Sequence, residues 1–441
     1  MRTFFSYGVD DIEQFKLQLL AIAQSTQYFC YLDSNNYPNY PYSTFGSLFA
    51  IDAIDVLSVS DNCLAKLSTF QQAHKDWIFG FINYDLKNEI EASLYSNNYD
   101  KIENPILHFF VPKYLVKIEN DKVEIGIVCT NETECNDELG DFKKLITHHF
   151  KSSTNQSNQT PYSSPQISQR FSRRDYVETV NKIKQHIQRG DIYELNFCQE
   201  FYAENCKINP IQVFHHLNAI SKAPFTSFFK YKENYLMCAS PERFLKKQND
   251  TLISQPIKGT RKRLKNEKED NQIREQLFFD NKERSENVMI VDLVRNDFSK
   301  IAIQNTVEVE ELFGIYTFEQ VHQMISTISC RIDSSMSFAT ILEAVFPMGS
   351  MTGAPKLSAM QLIEKYEKTK RGLFSGAVGY ITPKGNFDFN VVIRSILYNA
   401  NLKYISVQAG SAITIDCDAE KEYEECLLKA KAMLEALNKN A

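Results

Sequence analysis

The sequence has little that would place it in a membrane or in an oxidising compartment. None of its uninterrupted apolar runs approaches the ~20 residues that a membrane helix needs. Its ten cysteines include no C-x-x-C pair, which predicts reduced, mostly buried thiols rather than a disulfide framework or a zinc site. The segment Met1 to Gln24 lacks a cationic start followed by an apolar core and a cleavage site. We therefore expect a cytoplasmic protein with no membrane partner.

An excess of positive charge is also absent. The chain has 49 Lys and Arg residues against 55 Asp and Glu residues, a net charge of −6. This mildly acidic balance argues against a nucleic-acid partner. With 441 residues, of which 43% are hydrophobic, the chain is long enough for two or three average domains or for one large β-rich unit.

One segment differs in composition from the rest. Lys151 to Gln169 is rich in Ser, Thr, Asn and Gln and contains two prolines, which predicts a flexible polar linker or loop over residues 151–170. It separates an N-terminal domain, residues 1–150, from a longer domain, residues 171–438.

Helices and strands are both predicted, without a regular β-α-β rhythm. The hydrophobic periodicity predicts helices at Arg173–Arg189, Asn271–Phe279, Lys282–Val294, Lys356–Glu367 and Glu420–Asn438. Short apolar runs predict strands at Trp77–Tyr84, Leu107–Val116, Val123–Cys129, Ile192–Phe201, Tyr235–Ala239, Ala377–Ile381, Phe387–Leu397 and Tyr404–Ala409. This mixture favours an α+β fold over a doubly wound sheet.

The most informative residue is Lys258, in the run Gln-Pro-Ile-Lys-Gly-Thr at 255–260. It stands where an apolar strand runs into a glycine turn. An amine buried there would have a lowered pKa and could act as a nucleophile. Taken alone, Lys258 could equally be a lysine at a strand end whose charged tip reaches solvent.

Two pairs of glutamates have helical spacing. Glu283 and Glu286 lie three residues apart on one predicted helix, and Glu422 and Glu425 repeat the arrangement on another. On spacing alone, solvated helix faces are the better interpretation. If the two helices faced each other, their carboxylates would suit Mg²⁺, which prefers oxygen ligands.

Arg394 is a charge in an apolar segment that we predict to be a strand. A buried guanidinium needs an anionic partner, and that partner could be a structural Asp or Glu or the carboxylate of a ligand. Two small-residue segments, Gly349 to Lys356 and Gly410-Ser411-Ala412, could present backbone N–H groups to an anion, although plain structural roles explain them as well.

Six segments, in this order, carry a resemblance to a known family: SPERFL (Ser240–Leu245), QPIKGTRKR (Gln255–Arg263), ENVMIVDLVRND (Glu286–Asp297), FPMGSMTGAPK (Phe346–Lys356), SGAVGY (Ser375–Tyr380) and EYEEC (Glu422–Cys426). Together they resemble the chorismate-utilising enzymes, which include anthranilate synthase component I, aminodeoxychorismate synthase component I and the isochorismate and salicylate synthases. The resemblance covers about Phe171 to Leu437, and LDSNN (Leu32–Asn36) and GFINYDL (Gly80–Leu86) resemble the N-terminal region of the first two groups. Several ordered motifs make a chance match improbable.

The resemblance implies a fold and a branch of the family. The fold it implies is that of anthranilate synthase component I, a β-sandwich of two antiparallel sheets with helices packed outside. PIKGT is typical of the aminodeoxychorismate synthase component I branch, since anthranilate synthases carry alanine in place of the lysine. Gln199 stands where isochorismate-type enzymes carry a lysine that activates water, and glutamine cannot act as that base.

The resemblance also implies roles for individual residues. Lys258 would attack C2 of chorismate, and Glu242 would be the general acid for the departing 4-hydroxyl, which requires its pKa to be raised by burial. Glu286 and Glu425, with Glu283 and Glu422 nearby, would hold Mg²⁺ and through it the ring carboxylate. The remaining implied substrate contacts are Gly259, Thr260, Tyr380, Arg394, Gly410, Ser411 and Ala412, and Gln199 is a further candidate. Taken alone, Glu242 could cap a turn and Tyr380 could be a core residue.

The implied reaction is an amination of chorismate to 4-amino-4-deoxychorismate, a transaminase-class step in p-aminobenzoate and folate biosynthesis. We see no domain-length segment left over for a glutaminase, so we expect a separate glutamine amidotransferase subunit that supplies ammonia and a lyase that acts on the product. Two alternatives stay open. One is an anthranilate synthase component I, and the other is a non-catalytic sensor that binds chorismate or tryptophan.

Overall fold

The computed structural model describes residues 2–37, 40, 42–43, 45–119, 122–154 and 164–438. Its α-helices are α1 to α11 in chain order: Ile12–Ile22, Cys63–Ala73, Lys87–Ile90, Glu132–Thr154, Arg173–Arg189, Pro210–Ile220, Glu267–Phe279, Asn281–Ser299, Phe338–Val345, Lys356–Tyr366 and Ala419–Asn438. Its strands are β1 to β20: Arg2–Tyr7, Tyr28–Asp33, Ser47–Val59, Ile78–Ile82, Leu107–Glu119, Lys122–Val128, Ser168–Gln169, Glu194–Ala203, Phe225–Tyr231, Asn234–Ser240, Arg243–Gln248, Thr251–Gln255, Ile257–Lys262, Glu308–Thr317, Val321–Arg331, Gly353–Ala354, Ala377–Ile381, Phe387–Asn390, Ser395–Asn399 and Tyr404–Ile413.

The strands form one hydrogen-bonded network in which every named pairing is antiparallel. The long strands β3 and β5 pair along their full length, with an irregularity between Ala53 and Asp55. One branch runs from them through β2, β9, β10, β19, β20 and β8. The other runs through β4, β17, β18, β11, β12 and β15. The prediction of an α+β fold is confirmed at this level.

Helices bury their apolar faces against these branches. Tyr176 and Val180 of α5 and Cys426 of α11 belong to one large buried cluster, together with β8 and β20. A second cluster packs α8 and α9 against β11, β17 and β18. Burying such side chains stabilises the fold by about 1.5–3 kcal/mol each. The helices therefore lie where they can present residues to the ends of β8, β13 and β20.

Both ends of the predicted polar linker or loop belong to regular elements of the structure. At its start, α4 continues to Thr154. At its end, β7 pairs with β8 at Ser168 and Gln169. Residues 155–163 of the predicted linker lie outside the described residues. The division into domains stays a prediction, and strands from both sides of it pair with each other, as β4 does with β17.

The predicted strand Phe387–Leu397 is wrong in its middle. The structure has two strands, β18 and β19, separated by residues 391–394. The segment contains no Gly or Pro, and its centre, residues 391–393, is apolar and β-branched, so its pattern favours a continuous strand. Instead, Val391 donates its N–H to Glu242 O and Val392 donates to Gly376 O, and Arg394 takes a left-handed φ of 53°. Arg394 therefore lies in a connection rather than in a strand.

The expectation that all thiols are reduced is also wrong for one pair. Cys129 and Cys135 form a disulfide with their Cα atoms 5.4 Å apart. Cys129 follows β6 and Cys135 lies in the first turn of α4, so a short connection brings them together. The other eight cysteines are free and buried. In the part of the chain that the structure describes, no helix is long and apolar enough to cross a bilayer.

Candidate active site

Lys258 lies on a bulge of β13. Ile257 pairs with Ile325 and Thr260 with Gln323, so β13 has one more residue than β15 across this interval. Gly259, with a φ of 94°, supplies the left-handed conformation that such a bulge needs. A bulge of this kind can direct a side chain away from the ordinary alternation of a strand. The Nζ of Lys258 lies 2.6 Å from Glu194 Oε1 on β8.

The protonation of Lys258 differs from our expectation. Burial alone lowers its pKa, as predicted, but the negative charges of Glu194, Glu286 and Glu242 outweigh burial, and the pKa of Lys258 is raised above its ordinary value. The side chain is buried, with 9% of the residue exposed. In this arrangement Lys258 is therefore a buried ammonium in an acidic pocket, and the prediction of a lowered pKa is wrong.

Glu242 lies in the tight connection between β10 and β11. Its N–H donates to Ser240 Oγ and its C=O accepts from Val391 N–H, which fixes the backbone on both sides. The residue is buried, and burial raises the pKa of its carboxyl group to about 7, while the Ser350 hydroxyl and the charge of Lys258 partly oppose that shift. A carboxyl group with this pKa is partly protonated near neutral pH, as a general acid must be.

The two acidic helices do face each other. The Nζ of Lys282, on α8, lies 3.8 Å from Glu286 Oε1 on its own helix and 3.7 Å from Glu422 Oε1 on α11. Burial lowers the pKa of Lys282, but the charges of Glu286, Glu422, Glu425 and Glu283 outweigh it and the pKa is raised. All four glutamates that the sequence singles out therefore surround one ammonium group.

The remaining two glutamates have protein partners of their own. Glu283 accepts a hydrogen bond from Arg261 Nη1 at 2.9 Å. Glu425 pairs with Lys429 at 2.7 Å, and although burial raises the pKa of Glu425, this lysine more than compensates and the pKa is lowered. Each carboxylate of the set thus has a neighbouring cation.

The described residues contain no group of three or more His, Cys, Asp or Glu side chains placed to hold a metal ion. The donor chemistry nevertheless fits a hard divalent cation. Glu286 and Glu422 are buried carboxylates, and Glu286 Oε1 is buried with no hydrogen-bond partner in the part of the chain that the structure describes. Burial raises the pKa of Glu286 to about 7 and also raises that of Glu422. A cation bound between them would have to replace the Lys282 ammonium.

Arg394 has no carboxylate within ion-pair distance among the residues that the structure describes. Its Nη1 donates to Lys429 O at 2.6 Å, and burial lowers the pKa of its guanidinium, which the charge of Glu425 only partly opposes. Of the two partners considered above, the structural carboxylate is therefore not found. A buried guanidinium with spare donors is suited to bind an anionic ligand.

The segment Gly410-Ser411-Ala412 is the end of β20. It pairs with β8 through Cys198, Phe197 and Asn196. On the other side of β20 the ladder with β19 ends at Val407, so beyond that point one edge of the strand has no strand partner among the described residues. Two carbonyls at this end of β20 already have side-chain partners: Gly410 O accepts from Lys429 Nζ at 3.0 Å, and Ala409 O accepts from Cys426 Sγ at 3.1 Å.

Gln199 lies on β8, where it pairs with Ala409 of β20. It is buried, and its Nε2 lies 3.7 Å from Cys426 Sγ. Its Oε1 is buried, and no described residue lies in hydrogen-bond contact with it. That oxygen can accept a hydrogen bond from a ligand, but a glutamine cannot take up a proton as a base would.

The other predicted substrate contacts fall into two groups: Gly259 and Thr260 lie beside Lys258 on β13, and Tyr380 packs in an aromatic cluster. Gly259 lies against Glu283, because a Cβ built on it would be 3.2 Å from Glu283 Oε2, and the neighbouring Thr260 is exposed. Tyr380 instead packs its ring against Phe45, Trp77 and Phe79 in a buried aromatic cluster. The structure therefore favours the core role for Tyr380, the alternative that its sequence context had left open.

Glu194 contacts Lys258 directly, and the sequence reasoning did not single it out. It is a fully buried carboxylate at the start of β8. A signal was present, since a charge in a predicted apolar strand was the reason for singling out Arg394, and Glu194 lies in the predicted strand Ile192–Phe201. Its partner Lys258 is 64 positions away in the sequence, and only the fold brings the two together.

Comparisons with known proteins match this chain along most of its length. A family model described as chorismate binding enzyme matches residues 29–435. An anthranilate synthase component I-like protein of Synechocystis is 32% identical over 370 residues, covering 82% of this chain and 73% of that protein. Aminodeoxychorismate synthase component 1 of Bacillus subtilis is 26% identical over 450 residues, covering 96% of this chain and 95% of that protein.

A third relative matches only in part. Aminodeoxychorismate synthase component 1 of Salmonella typhimurium is 36% identical over 267 residues, covering 60% of this chain and 58% of that protein. Among solved structures, anthranilate synthase component I from Streptococcus pneumoniae superposes with a TM-score of 0.76 at 24% identity, covering 90% of this chain and 94% of that one. At that identity the superposition shows the fold alone.

Proposed function

This chain belongs to the chorismate-binding enzymes, and we propose that within this family it is component I of an aminodeoxychorismate synthase. The observation that carries the proposal is the buried Lys258, held 2.6 Å from Glu194 and close enough to Glu242 and Glu286 for their charges to raise its pKa. A solvent-exposed lysine could not be shielded from water during a covalent step. Relatives from Bacillus subtilis and Salmonella typhimurium carry the name aminodeoxychorismate synthase component 1, which supports this choice.

The proposed reaction has two displacements. Lys258 attacks C2 of chorismate, the two ring double bonds shift, and the 4-hydroxyl leaves as water with the proton of Glu242. Ammonia then adds at C4, the double bonds shift back, and the bond between C2 and Lys258 breaks. The products are 4-amino-4-deoxychorismate and the free enzyme. While Lys258 occupies C2, neither water nor ammonia can add there.

Substrate binding is assigned to the charged residues around Lys258. Arg394, which has no carboxylate partner among the described residues, binds the enolpyruvyl carboxylate together with backbone N–H groups of β20 at Gly410 to Ala412. Gln199 contributes its unpaired Oε1. Gly259 and Thr260 follow the attacking lysine in the chain, and the bulge at Gly259 sets the direction of the lysine side chain.

We assign Mg²⁺ as the cofactor, held by Glu286 and Glu425, with Glu283 and Glu422 nearby. When bound, this ion neutralises and orients the ring carboxylate of the substrate. The residues of this chain do the rest: they bind the substrate, orient Lys258 and hold the proton of Glu242. The two branches of the strand network, which share the buried cluster containing Phe229 and Val378, are in this proposal the two layers of a β-sandwich.

Ammonia requires a source, because free ammonia is mostly protonated at neutral pH. We propose that a separate glutamine amidotransferase subunit delivers it and that a lyase then releases pyruvate from the product to give p-aminobenzoate. Product analysis tests the assignment. The purified chain is incubated with chorismate, Mg²⁺ and ammonium at alkaline pH, with and without an aminodeoxychorismate lyase.

We expect p-aminobenzoate only when the lyase is present. Fluorescent anthranilate formed without any lyase would instead make the chain an anthranilate synthase component I, a name that other relatives carry. Chorismate binding in calorimetry without turnover in the same mixture would make it a sensor.

A further inference from the structure

The contact between Glu194 and Lys258 has a specific geometry. Glu194 Oε1 lies 2.6 Å from Lys258 Nζ, and Glu194 is fully buried. Its second oxygen, Oε2, is also buried and has no hydrogen-bond partner among the described residues. The carboxylate is therefore held against the amine by one oxygen, while the other oxygen retains its capacity to bind a proton or a ligand.

The backbone of Glu194 is fixed by a neighbouring segment. Ala354 pairs with Glu194, Tyr193 donates its N–H to Ala354 O, and Asn196 donates to Thr352 O. Gly353 approaches so closely that a Cβ on it would lie 2.1 Å from Glu194 O. The segment from Gly349 to Lys356, in which the sequence suggested backbone groups for an anion, thus holds the strand that carries Glu194.

Three further carboxylates face Lys258 from other elements. Glu242 comes from the β10–β11 connection, Glu286 from α8 and Glu425 from α11. Glu242 must carry a proton to act as an acid, and Glu286 and Glu425 are assigned to the metal ion. Glu194 is the carboxylate in direct hydrogen-bond contact with the amine.

We propose that Glu194 is the base that takes the proton of Lys258 and also the residue that aims its amine at the substrate. This proposal rests on the proposed function. The step is balanced: the N–H bond of the Lys258 ammonium breaks, an O–H bond forms on Glu194, and the freed electron pair of nitrogen forms the bond to C2. When Lys258 leaves C2 in the second displacement, the proton returns from Glu194 to the amine.

The charge of Glu194 can be removed while its hydrogen bond is kept. Glu194→Gln still offers an oxygen to Lys258, so a role in positioning alone would survive the substitution. A base would not. We expect the kcat for ammonia-dependent amination at pH 7 to fall by about 10²–10⁴-fold and then to rise with pH, because deprotonation must pass to solvent. Glu194→Asp, which keeps the carboxylate, should recover most of this loss.

A matched control removes another pair of the same kind. Lys87 Nζ lies 2.6 Å from Glu364 Oε1, and Lys87 is fully buried. Glu364→Gln therefore neutralises a buried lysine partner at the same distance outside the site. We expect its amination rate and pH profile to match those of the wild type.

A second measurement does not involve chorismate. The enzyme is treated with acetic anhydride at a series of pH values, and acetylation of Lys258 is measured by peptide mass spectrometry. Without the Glu194 charge, Lys258 should become acetylated at lower pH, with at least about a tenfold higher rate at pH 8, which corresponds to one unit of pKa. If Glu194→Gln does not fold, Glu194→Ala, which also removes the charge, is compared with Glu364→Ala in the same two assays.

The outcomes distinguish a failure of the proposed function from a failure of the proposed role of Glu194. If the wild type makes anthranilate or no product, the proposed function fails, and the acetylation profile still reports on the pair. If the wild type makes 4-amino-4-deoxychorismate but Glu194→Gln keeps the wild-type kcat and pH profile, Glu194 is not the base. An unchanged acetylation profile of Lys258 in that variant would also overturn the proposal.

Discussion

The Nζ of Lys282 lies 3.7 Å from Oε1 of Glu422, so a cation from α8 reaches across to the acidic face of α11. The same ammonium lies 3.8 Å from Glu286. These are two of the four carboxylates that we assign to Mg²⁺. The proposed Mg²⁺ site therefore lies next to a positive charge of the protein, the Lys282 ammonium.

Lys282→Met should therefore tighten Mg²⁺ binding. The substitution removes a competing cation from between Glu286 and Glu422 while keeping an unbranched side chain. We expect the Kd for Mg²⁺, measured by titration calorimetry without chorismate, to fall roughly fivefold, the equivalent of ~1 kcal/mol for partly exposed ion pairs. Lys431→Met is the control, because Lys431 pairs with Glu435 at the same distance of 3.7 Å on an exposed face of α11. Equal affinities in the two variants would contradict the assignment.

Local patterns predicted the elements well where caps and periodicity agree. The prediction for α5 is confirmed at both ends: Ser172 accepts a hydrogen bond from Asp175 N–H at the start, and Gly190 takes a φ of 85° at the end. The break at residues 391–394 was not predictable from the sequence, because contacts with Glu242 and Gly376, distant in the chain, replace the ladder there.

The site itself could be predicted only in part. The spacing of the four glutamates identified both acidic helices, and the structure shows that they face each other across Lys282. The predicted direction of the pKa shift of Lys258 was wrong. The shift depends on the charges of Glu194, Glu242 and Glu286, which come from three separate parts of the fold. Tyr380 packs in a buried aromatic cluster, and its role as a substrate contact stays a prediction, because an ordered motif does not reveal which side of a strand faces the site.

Lys258→Ala should abolish the covalent intermediate. Without the amine, no adduct on this residue can form, and C2 becomes open to other nucleophiles. We expect the rate of 4-amino-4-deoxychorismate formation to fall by at least about 10³-fold, with part of the remaining product shifted to anthranilate. Mass spectrometry of enzyme quenched with chorismate tests for the adduct.

The control is another buried lysine. Lys246 is buried on β11, and burial lowers its pKa to about 8. Lys246 lies away from the carboxylates around Lys258, which are Glu194, Glu242, Glu286 and Glu425. We therefore expect the Lys246→Ala enzyme still to form the adduct on Lys258. A wild-type enzyme that never shows added mass on Lys258 during turnover would argue against the covalent route.

Glu242→Gln should remove one limb of the pH profile. The general acid must be protonated, and burial raises the pKa of Glu242 to about 7, so wild-type activity at a fixed concentration of free NH₃ should fall as the pH rises through about 7. The glutamine cannot donate a proton in this way. We expect kcat to fall by about 10²–10⁴-fold and the remaining activity to lose that alkaline limb. A limb that persists unchanged in the variant would assign it to another group.

Arg394→Gln should separate binding from stability. In the ligand-free protein Arg394 donates to Lys429 O, and no described carboxylate lies within ion-pair distance. We expect the KM for chorismate to rise by at least about 30-fold, the equivalent of ~2 kcal/mol for a lost charged hydrogen bond, while Tm stays near that of the wild type.

Arg371→Gln is the contrasting variant, because Arg371 pairs with Glu367 at 2.7 Å and both are buried. Leaving Glu367 unpaired should cost about 3–5 kcal/mol of folding stability, which thermal unfolding followed by circular dichroism would show. If Arg394→Gln lowered Tm as much as Arg371→Gln, its role would be structural, and the carboxylate of the substrate would need another partner.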